Sequence, residues 1–460
     1  MSAEGLRSAI DKMTEAGVDP VEIEVFRHYY SELESGATGL IAEDSISPLT
    51  EVDRLADQHP DPEQSREALA QTVMIKLNGG LGTSMGMDRA KSLLPVRDGK
   101  TFLDLILQQV RSARETHGAR LPLLLMDSFR TRADTLAVLA DQADLPVGDL
   151  PPDFLQNFEP KLRTDDLTPV SWPADESLEW CPPGHGDIYP ALLGSGILDR
   201  LLEQGFRYAS VSNSDNLGAA PDPVLAGWFA ASGAPYAAEL CRRTVNDRKG
   251  GHLAVRRSDG RLILRDTAQT ADDEMHFFTD EHRHPFFHTN NLWWDLQRLR
   301  EVLVERRGVL GLPLIRNTKT VDPADSDSPE VFQVETAMGA AIEVFEGATA
   351  IVVDRSRFLP VKTTNELLLL RSDCYRVRTD GTLEATTDST PAVSLDSAYY
   401  KKIGDFDARF ADGAPSLREA TSLQVQGDFS FGADVVVRGK VELDGGAEQQ
   451  RIEPGTVLGG

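Results

Sequence analysis

The sequence predicts an α/β fold with a central sheet, a helical region before it and a small β-rich region after it. From residue 73, short apolar runs alternate with amphipathic segments, which is typical of a sheet covered by helices. Residues 1–70 show apolar side chains at helical spacing, and alternating apolar residues punctuated by glycine follow residue 420. We therefore divide the chain into regions 1–70, 71–385 and 386–460.

The N-terminal region is predicted to be helical. Asp19 followed by Pro20 signals a helix start, because aspartate caps free backbone N–H groups and proline fits the first helical position. Apolar residues then recur from Val25 to Leu33 at helical spacing, and Gly36 is expected to end the helix. We identify no catalytic motif in this region.

Apolar spacing predicts strands at 73–77, 121–126 and 208–212 and helices at 101–116 and 191–202. The third strand runs into a polar turn, residues 213–218, and open α/β sheets bind ligands at the carboxyl ends of their strands.

Two further elements are predicted beyond these. Arg257-Ser-Asp-Gly260 between apolar runs indicates a hairpin, and residues 336–345, closed by Gly347, indicate another helix.

The composition limits the classes of function. The 460 residues include 47 Lys and Arg against 73 Asp and Glu, a net charge of −26, which argues against sequence-independent nucleic-acid binding. Cys181, Cys241 and Cys374 lie far apart and lack zinc-site spacing. The chain shows neither a signal peptide nor an apolar run of membrane-spanning length, so we expect a cytoplasmic protein without a membrane partner.

A glycine-rich loop follows the first predicted strand of the central region. Gly79, Gly80, Gly82 and Gly86 would let backbone amides approach a phosphate chain, although an ordinary strand-to-helix turn is the simpler alternative. A dinucleotide-binding fingerprint would need glycine at position 85, and the Gly-Lys-Ser/Thr ending of a P-loop is missing. Lys91, shortly after the loop, can place an ammonium group against phosphate oxygens.

Five polar residues downstream have both a ligand-binding and a structural interpretation. His185 lies between two glycines in Pro-Pro-Gly-His-Gly-Asp, where a ligand can reach it, but a structural histidine is the alternative. Asp215 can bind Mg²⁺ or form a turn. Asn290 and Asn291 can bind sugar hydroxyls or cap a helix, and Lys362 can face phosphate or solvent.

Taken in order, these strings resemble the eukaryotic-type UTP–glucose-1-phosphate uridylyltransferases over most of the chain. The strings that carry the resemblance are Lys76-Leu-Asn-Gly-Gly-Leu-Gly-Thr-Ser-Met-Gly86, Lys91-Ser92, Met126-Asp-Ser-Phe129, Pro182-Pro-Gly-His-Gly-Asp187, Val211-Ser-Asn-Ser-Asp-Asn-Leu-Gly218, Thr289-Asn-Asn-Leu-Trp293 and Ser356-Arg-Phe-Leu-Pro-Val-Lys-Thr-Thr364.

The resemblance implies a nucleotidyltransferase domain with a central mixed sheet of glycosyltransferase-A type, which is Rossmann-like. It also implies a C-terminal left-handed β-helix-like domain that can mediate homo-oligomers. The implied partners are UTP and a sugar 1-phosphate, with Mg²⁺ on Asp215 and with Lys91 and Lys362 as the catalytic, phosphate-neutralising residues.

The resemblance also assigns the binding residues. The nucleotide would contact Leu77, Asn78, Gly79, Gly80, Met126, Gln156, Gly184 and Asp215. The sugar and its phosphate would contact His185, Asn213, Ser214, Gly251, Asn290, Asn291 and Glu335.

Two departures from the family pattern keep other functions open. The loop reads Met87-Asp-Arg-Ala-Lys91 where Gly-Pro-Lys is more usual, and Asp266 stands where glutamate is familiar. The shorter Asp266 can alter contacts to sugar hydroxyls, so a broader UDP-sugar or N-acetylhexosamine uridylyltransferase is the alternative. A non-catalytic nucleotide-sugar-binding protein is a more distant one, and a dinucleotide oxidoreductase more distant still.

Overall fold

The structure, a computed structural model, describes residues 2–244, 247, 250–446 and 448–459. Its α-helices are α1 (Ser2–Glu15), α2 (Pro20–Glu34), α3 (Pro62–Ala70), α4 (Phe102–His117), α5 (Arg132–Leu139), α6 (Ile188–Gly194), α7 (Ile197–Glu203), α8 (Pro223–Ser232), α9 (Met275–Phe278), α10 (Leu296–Glu305), α11 (Thr364–Arg371), α12 (Ser397–Tyr400) and α13 (Ile403–Arg409). Within these described residues, no helix is long and apolar enough to cross a membrane.

The strands up to the end of the central region are β1 (Ile46–Pro48), β2 (Asp53–Arg54), β3 (Thr72–Leu77), β4 (Pro95–Arg97), β5 (Lys100–Thr101), β6 (Leu123–Asp127), β7 (Asp153–Leu155), β8 (Glu159–Pro160), β9 (Leu162–Arg163), β10 (Trp180–Cys181), β11 (Tyr208–Asn213), β12 (Tyr236–Arg242), β13 (His252–Arg256), β14 (Leu262–Arg265), β15 (Phe286–Asp295), β16 (Ile315–Thr320), β17 (Glu330–Glu335), β18 (Thr349–Val352), β19 (Tyr375–Val377) and β20 (Leu383–Ala385). The last strands are β21 (Ala392–Leu395), β22 (Ser416–Gln426), β23 (Phe429–Phe431), β24 (Val436–Asp444), β25 (Gln450–Ile452) and β26 (Val457–Leu458).

The central element is a mixed sheet of eight strands in the order β2-β18-β12-β15-β11-β3-β6-β7. Neighbouring strands are parallel except at β15, which runs antiparallel to both β11 and β12. This arrangement confirms the predicted α/β core.

Both faces of this sheet are covered, as the apolar composition of its strands requires. Successive side chains of a strand point to opposite faces, so Met74 of β3 joins one hydrophobic cluster while Val73 and Ile75 join another. Helices α4 and α8 pack on the first face, and α6, α7 and α10 pack on the second.

Helix ends with strong local signals agree with the prediction. Thr101 caps α4 with a reciprocal side-chain pair to Asp104, and Gly118 ends the helix in the left-handed conformation at φ 64°. The Asp19 carboxylate accepts a hydrogen bond from the Val21 N–H (2.8 Å) at the start of α2.

Two predicted helices differ from the structure. The segment 191–202 is divided between α6 and α7, because Gly196 adopts φ 70° and interrupts the helix. The segment 336–345 forms only a short 3-10 helix, Met338–Glu343. Its backbone is held by distant side chains: the Met338 N–H donates to His185 Nδ1 (3.0 Å), and the Tyr189 hydroxyl donates to the Met338 carbonyl (2.6 Å).

The N-terminal helices α1 and α2 pack against the strands β9 and β17 through a separate hydrophobic cluster that includes Phe26, Leu162 and Val334. At the other end of the chain, β21, β22, β24 and β26 form a parallel sheet, beside which β23 pairs with β25. The predicted β-rich texture after residue 420 is therefore present.

Candidate active site

The strands that precede the predicted nucleotide-binding residues end side by side in the central sheet. Leu77 of β3 pairs with Met126 of β6 and with Asn213 of β11, and Met126 pairs with Phe154 of β7. Because these strands are parallel, the residues that follow them emerge at the same edge. The candidate active site lies at this carboxyl edge of the sheet.

The glycine loop after β3 folds back on itself. Gly82 and Gly86 both adopt left-handed backbone conformations, φ 66° and 72°, on either side of a 3-10 turn at Thr83–Met85. The Lys91 N–H then donates to the Gly80 carbonyl (3.0 Å). The loop therefore returns Lys91 to the strand end from which it started.

Asn78 anchors the base of the loop. Its amide Nδ2 donates to Asp127 Oδ1 (2.7 Å) and to Thr135 Oγ1 (3.0 Å), and its backbone N–H donates to the Met126 carbonyl (2.8 Å). Burial raises the pKa of Asp127 to about 6, although the hydrogen bonds that its carboxylate accepts act in the opposite direction and lower this pKa. The Asn78 side chain thus ties β3 to β6, and the backbone beyond it is what faces the edge.

Gly79, Gln156 and Gly184 meet at the β7 side of this edge. Gln156 Nε2 donates to the Gly184 carbonyl (2.8 Å), and a Cβ on Gly79 would lie 2.8 Å from Gln156 Oε1. Gly184 has φ 80°, and a Cβ there would lie 2.6 Å from the Thr336 carbonyl and 3.0 Å from the Cβ of Glu335. Gly184 is therefore required for this close approach, because its clash is with backbone, whereas the clash at Gly79 is with the end of the Gln156 side chain.

His185 is a neutral imidazole with a defined tautomer. A backbone N–H always donates, so the bond from Met338 to Nδ1 leaves the ring hydrogen on Nε2. Burial lowers the pKa of His185 to about 4. At neutral pH this residue can donate a hydrogen bond to an oxygen but carries no charge.

Two residues assigned to the sugar, Gly251 and Asn290, lie just before β13 and within β15, and Asp266 follows β14. The His288 N–H donates to the Gly251 carbonyl (2.8 Å), and a Cβ on Gly251 would lie 2.1 Å from Asp266 Oδ1. Asn290 adopts the left-handed conformation at φ 63°, which is uncommon for a residue other than glycine. Burial raises the pKa of Asp266, and the positive charge of Lys362 opposes that rise.

Lys91 connects the glycine loop to the two remaining motifs. Its Nζ donates to Asp215 Oδ2 (2.6 Å) and also to the Val361 carbonyl, next to Lys362. The Ser214 N–H donates to the Leu77 carbonyl (3.0 Å), which places Asp215 beside the loop. Lys91 and Asp215 therefore meet at one corner of the edge, and the backbone just before Lys362 reaches the same corner.

Beneath this corner lies a buried polar cluster, the Glu239 network, comprising Glu239, Arg357, Asn216, Asn291 and Trp293. Glu239 accepts from Arg357 Nε (2.8 Å) and Nη2 (2.9 Å), from Trp293 Nε1 (2.9 Å) and from Asn291 Nδ2 (3.2 Å). Asn216 Nδ2 donates to Asn291 Oδ1 (3.1 Å) and to the Arg357 carbonyl (3.1 Å), and the Leu359 N–H donates to Asn216 Oδ1 (2.8 Å).

Sequence reasoning missed the Glu239 network. Asn291, assigned to the sugar, is 2% exposed and has its amide engaged inside the network, whereas its neighbour Asn290 lies outside it. A signal was available: Glu239 is the one charged residue within the apolar run Tyr236-Ala-Ala-Glu-Leu-Cys241 of a central strand, where an unpaired carboxylate would be very costly.

The corner also fits a magnesium ion. The Asp215 carboxylate is partly exposed, and Mg²⁺ is commonly held by one or two carboxylates together with substrate phosphates and water. Within the described residues no group of three or more His, Cys, Asp or Glu side chains could hold a metal by itself. Asp215 would therefore bind a magnesium ion that is also coordinated by a substrate phosphate.

Known proteins are similar to this chain in both sequence and fold. The profile of the family described as UTP–glucose-1-phosphate uridylyltransferase matches residues 23–438. Proteins of that name from Solanum tuberosum and Saccharomyces cerevisiae are 39% and 35% identical over 396 and 458 residues, covering 85% and 96% of this chain and 80% and 89% of theirs.

Two solved structures agree with the whole fold. A mutant UDP-glucose pyrophosphorylase from Leishmania major, in complex with UDP-glucose, superposes with a TM-score of 0.91 at 42% identity, covering 99% of this chain and 98% of that one. The Trypanosoma brucei enzyme gives 0.90 at 42% identity with the same coverage. The matching profile, the relatives and the shared architecture together show that this chain belongs to the UTP–glucose-1-phosphate uridylyltransferase family of nucleotidyltransferases.

Proposed function

We propose that the chain makes UDP-glucose and pyrophosphate from UTP and glucose 1-phosphate, reversibly and with Mg²⁺. The observation that supports this most directly is the convergence of Lys91, Asp215 and the segment before Lys362 at the mouth of the glycine loop. A related enzyme that binds UDP-glucose, with the same fold at 42% identity, adds support for the substrate class.

The reaction needs positioned positive charge and no strong base. An oxygen of the sugar 1-phosphate, already anionic at neutral pH, attacks the α-phosphorus of UTP, forming a new P–O bond as the bond to the β-phosphate oxygen breaks and pyrophosphate leaves. Lys91 and Lys362 neutralise the phosphate charge, and the loop amides orient the chain of phosphates. A magnesium ion held by Asp215 and the phosphates would supply further charge neutralisation.

The remaining assignments follow the geometry of the edge. In this proposal Leu77–Gly80 and Gly184 contact the nucleotide, Met126 and Gln156 approach its uracil, and the sugar lies near Gly251, Asn290 and Glu335. His185, with its hydrogen on Nε2, is suited to donate to a phosphate or sugar oxygen. In this proposal Asn213, Ser214 and Asp215 face the metal and the sugar phosphate, in a turn that the Ser214 N–H anchors to the Leu77 carbonyl.

One observation favours a broader sugar range as the second candidate. The Asp266 carboxylate lies against Gly251 in the region assigned to the sugar, close to the charge of Lys362. An aspartate, shorter than the glutamate familiar at this position, would alter the contacts to the sugar hydroxyls. UDP-sugar or N-acetylhexosamine uridylyltransferase activity is therefore the alternative.

Turnover across substrates and variants tests these proposals. Pyrophosphate release should require UTP and magnesium and should be fastest with glucose 1-phosphate; comparable rates with several sugar 1-phosphates would favour the alternative. Lys91→Ala and Lys362→Ala should each lose about 2–4 kcal/mol of transition-state stabilisation, roughly 30- to 1000-fold in rate. Lys100→Ala, an exposed lysine of the same region, is the matched control. Near-parental turnover by both folded lysine variants would contradict the mechanism.

We further propose the domain division 1–70, 71–385 and 386–460, a left-handed β-helix for the last region, self-association through it, and a cytoplasmic location. The parallel pairing of β22, β24 and β26 without intervening helices is compatible with a β-helix. Sedimentation of the full chain, compared with a chain that ends at residue 385, tests the self-association.

A further inference from the structure

A small cavity lies between helix α2 and the turn at residues 184–187, and carboxyl groups surround it. Glu22, Glu159 and Asp187 line it and are at most 2% exposed, and Glu335 lines it from the end of β17. Among the residues that line this cavity, all within the described chain, none carries a positive charge. Ionising several of these carboxyls together would therefore place uncompensated charge in the interior.

Asp187 and Glu22 have different hydrogen-bond partners. Asp187 accepts from the backbone N–H of Asn157 (2.6 Å) and from Asn157 Nδ2 (2.8 Å), which stabilises its ionised form. Neither oxygen of Glu22 receives a hydrogen bond from any donor in the described chain, and the Glu22 and Asp187 side chains line the same small cavity. The proton of such a pair belongs on the carboxyl without other donors.

The charges around Glu22 point the same way. Burial raises its pKa well above the ordinary value, and the negative charges of Asp187, Glu159 and Asp19 raise it further. Tyr29, two turns along α2, and Tyr189 complete the titratable groups that line the cavity, and burial raises their pKa values as well. A neutral Glu22 is therefore the form that this environment stabilises at neutral pH.

We propose that Glu22 is a positioning residue of the nucleotide pocket, whose neutral carboxyl group donates a hydrogen bond to Asp187 and so holds the turn at residues 184–187. This inference rests on the proposed nucleotide site. Asp187 binds Asn157, and the adjacent Gln156 binds the Gly184 carbonyl, so the N-terminal helix, the end of β7 and the turn form one connected unit. If Glu22 were ionised, it would repel Asp187 and loosen that unit.

Two substitutions of Glu22 separate positioning from packing. Glu22→Gln keeps a hydrogen-bond donor that cannot ionise, and it should retain the parental KM for UTP at pH 7. Glu22→Ala removes the donor and should raise that KM by about tenfold, the effect of losing one hydrogen bond to a charged group, with kcat changed less than about twofold. Glu24→Gln, the same change on the exposed face of α2, is the control and should match the parent protein.

The pH dependence provides a readout that packing alone would not change. In the folded parent protein Glu22 holds a proton that the unfolded chain releases above its ordinary pKa. The unfolding equilibrium constant of the parent, divided by that of Glu22→Gln, should therefore rise by about tenfold per pH unit above that pKa until the folded state also releases the proton. Where the folded state releases the proton and this ratio levels off, the parental KM for UTP should rise relative to that of Glu22→Gln.

Each outcome decides the inference. It is overturned if Glu22→Ala keeps the parental KM, if Glu22→Gln is as impaired as Glu22→Ala, or if parent and Glu22→Gln share one pH dependence of unfolding. If Glu22→Ala does not fold, the comparison of Glu22→Gln with the parent still decides. A parent without UTP turnover would refute the proposed function instead, and the unfolding comparison would still test the Glu22–Asp187 contact.

Discussion

Replacing Glu239 by glutamine should destabilise the protein and slow catalysis together. The glutamine keeps the shape of the side chain but turns one acceptor oxygen into a donor, opposite an Arg357 guanidinium that makes two bonds to the carboxylate at 2.8 and 2.9 Å. Among the described residues, Asp222, at 3.8 Å, would be the ion-pair partner left to Arg357. Breaking one side of a buried ion pair typically costs about 3–5 kcal/mol.

This cost converts into a modest change in melting temperature because the chain is long. With an unfolding entropy of roughly 2.1 cal/mol/K per residue, 460 residues unfolding together give about 1 kcal/mol/K, so Tm should fall by about 3–5 °C. Catalysis should suffer because the Arg357 and Leu359 backbone groups bind Asn216, and this contact fixes the segment that leads to Lys362. Calorimetry and pyrophosphate release measure the two effects.

The matched control is Glu419→Gln, which breaks a surface pair with Arg438 at 2.9 Å between side chains that are about half exposed. Such pairs contribute about 0–1 kcal/mol, so its Tm should change by about 1 °C at most and turnover should not change. If Glu239→Gln unfolded at the same temperature as this control and kept parental turnover, the network would not hold the lysine segment and the reasoning would be refuted.

Two further predictions concern the backbone and pH. Gly184→Ala should raise the KM for UTP or prevent folding, because the added Cβ would meet the Thr336 carbonyl at 2.6 Å and the backbone there is left-handed. Enzyme kinetics measure the KM and circular dichroism measures folding. A folded variant with the parental KM would contradict this prediction. Burial lowers the pKa of Lys76 to about 7, so the unfolded chain holds more protons and stability should rise from pH 7 to 10. Relative to Lys76→Met, the parent should gain up to about 1.4 kcal/mol per pH unit in urea unfolding, and parallel curves would contradict this.

The elements that local signals determine were predictable. The start of α2 at Asp19, the capped helix α4 and the strand before the glycine loop depend on side chains within a few residues of one another, which a single sequence displays. The grouping of Lys91 with Asp215 at one edge also followed, because residues after parallel strands must emerge together.

Features that depend on distant partners were not predictable in this way. Glu239 and Arg357 are 118 positions apart, and the 3-10 helix at Met338–Glu343 is held by side chains about 100 or more positions earlier. Glu22 shows a subtler limit: it lies on the same helical stripe as Val25, Phe26 and Tyr29, so geometry alone places it in the interior. Only its neighbours in space explain how a carboxyl is accommodated there.

The antiparallel strand β15 has a consequence for protein synthesis. It joins β11 to β12 at the centre of the sheet, yet it is formed by Phe286–Asp295, whereas β3, β6, β7 and β11 are complete by Asn213. Before β15 has been synthesised, the nascent chain contains β11 and β12 but not the strand that pairs with both of them. The edge of β11 that β15 will cover is then unpaired, and so is the corresponding edge of β12. Such edges are templates for pairing with other chains, so a protein truncated before residue 286 should aggregate rather than remain as a stable half-enzyme.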